Sequence, residues 1–146
     1  MTTEALPVVR EPSIDVHIHL AGTGCAESGC WVGPRFRNRL SFRLLRVLYG
    51  VTEYRMAHNA DQYWAEMVHH LVKNSPIDYG VVLGFDGVFH SEAGHMIAHE
   101  SQLIIPPKWV FAVCKRYSNL LPGPSVNPFR EDALDVLDEC IAGARS

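Results

Sequence analysis

Between residues 14 and 20, apolar Ile14, Val16, Ile18 and Leu20 alternate with polar Asp15, His17 and His19. A period of two predicts a strand with one apolar face and gathers the three polar side chains on the other. Pro12 precedes the run, and the small-residue stretch AGTGCAESGC after it predicts a loop. From residue 40 to 49 the period changes. Leu40, Leu44, Leu45 and Leu48 form a helical stripe, Arg39, Arg43 and Arg46 lie on another side, and Gly50 stops the helix. Residues 61–73 predict a second helix, capped by Asp61, with Tyr63, Trp64, Met67, Val68 and Leu71 on its apolar face.

The run YGVVLGF at residues 79–85 is nearly all apolar, which suits a strand covered on both faces in a parallel sheet. Residues 86–99 are polar and contain Gly87 and Gly94, so a long loop is expected. Pro106-Pro107 introduces a short helix over 109–117. Residues 120–126 (LLPGPSV) are a third strand candidate, against which Pro122 and Pro124 count. Asn127-Pro128 turns the chain into a helix over 130–142, with Ala133, Leu134, Val136, Leu137 and Ile141 as its stripe and Gly143 at its end. Strand, helices, strand, helix, strand, helix predicts an α/β fold with a parallel sheet of βα units. Residues 1–146 show no internal repeat and no domain boundary.

Composition narrows the function classes. Apolar residues make up 47% of the chain and charged residues 20%, the balance of a globular domain rather than a disordered segment. The formal net charge of -3 gives no reason to expect a nucleic-acid partner or a membrane surface. The start Met-Thr-Thr-Glu lacks the basic and apolar regions of a leader, and no apolar run reaches the ~20 residues that span a bilayer. Cys25, Cys30, Cys114 and Cys140 form no CxxC pair and read as reduced thiols. The expectation is a cytoplasmic protein.

Eight histidines are the compositional oddity, and two of them carry the chemistry. His17 and His19 leave the same strand face, where two imidazoles can share one divalent ion at ~2.0–2.1 Å. Asp15, one step back on that face, is placed to orient an imidazole behind the metal. The glycine-rich loop follows at once, so the pair sits near the strand's C-terminal end, where parallel βα folds build their sites. Two readings stay open on these residues alone: a metal half-site, or two polar side chains with no ligand.

The segment DVHIHL resembles the metal-binding motif of the amidohydrolase superfamily, and is most similar to its amidohydrolase-related, TIM-barrel metal-dependent hydrolase branch. FDGVFHSEAG resembles that branch's second strand and long loop, and NLLPGPSVNPFREDALDVLDECIAGA its third strand and helix. The likeness runs over residues 14–144. It implies an incomplete (β/α)₈ barrel, with this chain holding about the first three of eight βα units in a single partial domain over residues 1–146. It implies a divalent metal, zinc by type, with His17 and His19 as the first two ligands. The other ligands and the proton-transferring carboxylate would belong to later strands. Asn127 stands where relatives commonly carry a histidine.

What the resemblance implies about activity is hydrolysis of a small carbonyl or ester-like substrate by metal-activated water. Some relatives use the same site for non-oxidative decarboxylation. A non-catalytic α/β binding protein is the alternative from another class. The chain alone is expected to be inactive. With an unpaired sheet edge, it is also expected to associate with itself or with the missing barrel half.

Other residues carry weaker expectations. His90 and Asn127 are substrate-contact candidates, His90 because its loop would overhang the site. His95 and His99 share that loop. Arg35, Arg37, Arg39, Arg43 and Arg46 suit either an anionic ligand or a solvated helix face. His69 and His70 are adjacent on a helix and face apart.

Overall fold

The computed structural model describes residues 10–145; residues 1–9, which include the start read for a leader, and residue 146 lie outside the described residues. Its centre is a three-stranded parallel sheet in the order β1-β3-β5, with β1 at Ile14–His19, β3 at Tyr79–Leu83 and β5 at Leu120–Gly123. The helices between them are α1 (Pro34–Arg37), α2 (Leu40–Leu48), α3 (Glu53–His58), α4 (Ala60–Lys73) and α5 (Pro107–Arg116), and α6 (Ala133–Ala144) follows β5. A two-stranded antiparallel ribbon, β2 (Trp31–Val32) with β4 (Leu103–Ile104), lies outside this sheet. The expected α/β class with a parallel sheet is present, and the sheet is open rather than closed into a barrel. No helix among the described residues is long and apolar enough to cross a membrane.

The core forms where α4 and α5 meet the sheet. Ala65, Val68 and Val72 recur at helical spacing on α4, Val110 and Val113 on α5, and all five are buried with Leu20, Val82, Ile105 and Leu120. Each such aliphatic side chain contributes about 1.5–3 kcal/mol on leaving water. Gly80 on β3 permits the close approach. A Cβ there would meet Ile18 Cδ1 at 2.5 Å and Val72 Cγ2 at 2.9 Å. Gly143 does the same between helices, since its Cβ would lie 3.2 Å from the Phe111 ring. It sits inside α6, not beyond its end as the sequence predicts.

Several expectations need correction. Asp61 does not cap α4. The capping position is Asn59, and the wholly buried Asp61 carboxylate turns instead to the loop after β1. It accepts from Thr23 N–H at 2.5 Å, Gly24 N–H at 3.0 Å and the Ser28 hydroxyl, with Thr23 Oγ1 at 3.1 Å. The last helix starts at Ala133, because Arg130 forks onto Asp132 with two 2.8 Å bonds and holds a turn before it. The third strand stops at Gly123. Residues 86–99 are less loose than expected: Phe89 bridges Met96, and the buried Ser101 hydroxyl accepts from Val88 N–H and donates to the Ile97 carbonyl.

The apolar stripes are not all covered. Leu40, Leu44, Val47 and Leu48 on α2 are each at least 60% exposed. Leu134, Leu137 and Ile141 on α6 and Ile14 and Val16 on β1 are exposed too. Helical and strand periodicity reports which side chains share a face, not whether another element lies against it.

Asp61→Ala removes an acceptor from several buried donors at once. It should lower the free energy of unfolding by about 3 kcal/mol or more in urea titration, whereas Asp135→Ala on exposed α6 should stay within ~0.5 kcal/mol. Equal effects would show that the carboxylate does not anchor the loop.

Candidate functional site

Pairing between β1 and β3 runs Asp15↔Gly80 and then Ile18↔Val82, so β1 carries one extra residue between these points. This is a bulge, and it breaks the simple alternation read from the sequence. Asp15 therefore does not share a regular face with both histidines. Its carboxylate accepts the His17 backbone N–H at 2.9 Å, and no hydrogen bond joins it to an imidazole among the described residues. The shifted stretch includes His17, and His17 and His19 still project together.

The two rings converge. His17 Nε2 and His19 Nε2 are 3.0 Å apart, with centroids 4.7 Å apart and planes at 89°. Two nitrogens on a tetrahedral zinc at ~2.0–2.1 Å would be separated by roughly 3.3 Å, so the pair needs only a few tenths of an ångström of adjustment. His19 stacks on Phe85, at the end of β3, with centroids 4.4 Å apart and planes at 25°. Its pKa is lowered, first by burial and then by the neighbouring His17, against a raising hydrogen bond to the Leu83 backbone. A lowered value keeps the ring neutral, which is the metal-binding form.

No protein-family model, no curated protein and no solved structure matches this chain.

No group of three or more His, Cys, Asp or Glu side chains placed to hold a metal occurs among the described residues. The other candidates are spent elsewhere. His90 Nδ1 accepts from the Glu92 and Ala93 amides, and its ring stacks on His95 at 5.5 Å. No hydrogen bond or ring contact joins it to His17 or His19 among the described residues. Asn127 is a loop brace. It donates Nδ2–H to the Gly87 carbonyl at 2.9 Å and accepts Phe129 N–H at 3.0 Å, while its backbone N–H goes to Asp86. His69 is held by Asn119 and stacks on Tyr117, and its ring centroid lies 5.1 Å from that of His70, nearer than the expectation that the two face apart.

Sequence reasoning passed over Asp86, three residues past β3. Its carboxylate takes the Gly87 and Asn127 amides at 2.8 Å and Arg130 Nη1 at 3.0 Å. That knot ties together the loops that follow β3 and β5. The signal was an aspartate just after a buried strand with an arginine just after the next one. Two of the cysteines are inert by environment. Burial pushes the Cys30 and Cys114 thiols up to about 12, far from thiolate reactivity.

The lowered His19 pKa has a sign. Between the folded value and the ordinary value of about 6.5, the unfolded chain binds more protons, so stability rises with pH. The metal-free protein should therefore melt at lower temperature as pH drops from about 7.5 to about 5.5. His19→Gln should flatten that slope in a thermal scan series. An unchanged slope in the variant would remove His19 as its source.

Proposed function

We propose that this chain is the N-terminal part of an amidohydrolase-type (β/α)₈ barrel, a metal-dependent hydrolase acting on a small carbonyl or ester-like substrate. The observation that carries the reading is the convergence of His17 Nε2 and His19 Nε2 at the C-terminal end of the first parallel strand. A divalent ion there, zinc by type, supplies a Lewis acid and an activated water. The contribution of this chain is to hold two imidazoles in register. The bulge aims them, the Asp15 bond to the His17 amide fixes the backbone that carries them, and the Phe85 ring braces His19.

Two further features support the barrel. The strands follow in sequence order, as in a barrel wall. The outer edges of β1 and β5 have no strand partner among the described residues, and apolar side chains on β1 and α6 stand uncovered. In this reading the further metal ligands and the proton-moving carboxylate come from the βα units that close the sheet, and the chain alone turns over little or no substrate.

Metal analysis tests the site. Protein purified without added metal should take up zinc in a titration, weakly because two ligands fall short of the usual three, and His17→Ala or His19→Ala should abolish uptake. Equal uptake by parent and variants, or none by either, would leave a non-catalytic binding protein as the better reading. Association tests the open edges: the apparent mass in sedimentation should rise with concentration. A monomer across about 1–100 μM would count against an incomplete barrel.

A further inference from the structure

The loop after β1, helix α2 and the start of α3 and α4 enclose a cavity of about 170 Å³. Its wall is apolar, with Phe42, Leu45, Val51, Met56 and Trp64 prominent. Two polar side chains reach it. The Thr23 hydroxyl lies 3.1 Å from both the Met56 carbonyl and the Asp61 carboxylate, and so is satisfied inside the protein. The other is Arg46. Water entering the apolar part finds too few partners to stay, and a cavity of ~150 Å³ with such a lining takes up a molecule the size of benzene.

Arg46 lines this apolar wall with its carbon stem, and its guanidinium beside the cavity supplies the chemical selectivity. Its Nε bonds the Val51 carbonyl at 3.3 Å, and its Nη2 pairs with Glu53 Oε1 at 2.7 Å. The Arg46 side chain is 17% exposed and that of Glu53 79%. The cation is thus largely buried beside the cavity, whereas its counter-ion is a surface carboxylate on a flexible stem, worth little as a pair and replaceable by another anion. The surroundings bias the field the same way. Residues 28–52 contain five arginines and no Asp or Glu. Arg35, Arg37, Arg39 and Arg43 make no ion pair among the described residues.

We propose that this cavity is a binding site for a small anionic amphiphile: a hydrocarbon body of roughly six to eight carbon atoms, sized to the cavity, with one carboxylate or similar head that replaces Glu53 on Arg46. The body occupies the space between Phe42, Leu45 and Met56, and the head stays at the arginine-rich surface. The site is separate from the histidine pair and needs no metal. A failure here therefore leaves the hydrolase reading untouched, and the converse also holds.

The probes are octanoate and its uncharged counterpart octan-1-ol, titrated into the full chain with a chelator present and followed by backbone and indole NMR shifts. Octanoate should bind saturably with Kd on the order of 0.1–1 mM, shifting Leu45, Val51, Met56 and Trp64, and octan-1-ol on the order of tenfold more weakly. Glu53→Gln, a surface change, should tighten octanoate by about threefold and leave octan-1-ol within about twofold. Arg46→Gln should erase the preference for the anion. Equal binding of the two probes, shifts mapping away from the cavity, no saturable shift by about 2 mM, or an octanoate affinity indifferent to Glu53→Gln would each overturn the proposal.

Discussion

A carboxylate with no exposure to water is costly unless its oxygens are filled, and Asp61 fills them with groups from a single stretch of chain, residues 23–28. That choice ties the loop leaving β1 to the first turn of α4. Much of the structure follows from the tie. It lays Gly22 against Cys30, where a Cβ would come within 2.5 Å of the thiol sulfur, and so admits only glycine at the turn. It buries Cys30 and pushes that thiol out of the reactive range. It also sets where α4 begins, and hence which of its residues, Val68 and Val72 among them, reach the sheet. Finally, it puts Thr23 in the wall of the apolar cavity.

The histidine pair depends on a second local device. An unbroken strand would put residues 15, 17 and 19 in one row, with the carboxylate as near to the rings as the rings are to each other. The extra residue opposite Gly80–Val82 breaks that row. It diverts the carboxylate to the backbone and leaves the imidazoles facing each other without a charged neighbour between them. Two nitrogens 3.0 Å apart cannot both carry a proton toward each other, and the lowered pKa of His19 expresses that conflict along with its burial against Phe85. The arrangement favours the neutral form of His19, the state in which an imidazole binds cations.

What the sequence made legible was whatever depended on local period. The strands at residues 14 and 79 and the existence of helices near 40–49, 61–73, 109–117 and 130–142 follow from local pattern, while the exact starts at 107 and 133 do not. That His17 and His19 share a side also follows from their spacing, although the register shift between Asp15 and Ile18 includes His17. Long-range polar chemistry was not legible. Asp61 at the head of an apolar helix looks like a cap, and only the fold shows a better set of donors 33 to 38 residues earlier in the chain. Asn127 and His90 look available in the sequence, yet His90 is engaged within its own loop and Asn127 braces that loop from across the sheet's end. The ribbon of Trp31–Val32 with Leu103–Ile104 joins segments too short to show a period and too far apart to suggest a hairpin.

The uncovered apolar surfaces differ in kind. Those of β1 and α6 flank the sheet, where unpaired backbone edges accompany them, and only another strand-bearing unit can satisfy both the apolar atoms and the peptide groups. A sheet that closes as proposed covers them. The segment from α1 to α2 offers no strand edge. Its inner side closes an apolar cavity over one arginine, and its outer side sets leucines among unpaired guanidinium groups. Completing a barrel does nothing to neutralise that charge. In the proposed reading the two surfaces take two different partners, a further run of βα units for the sheet and a small anion with an apolar body for the cavity, and a protein that gained the first would still have room for the second.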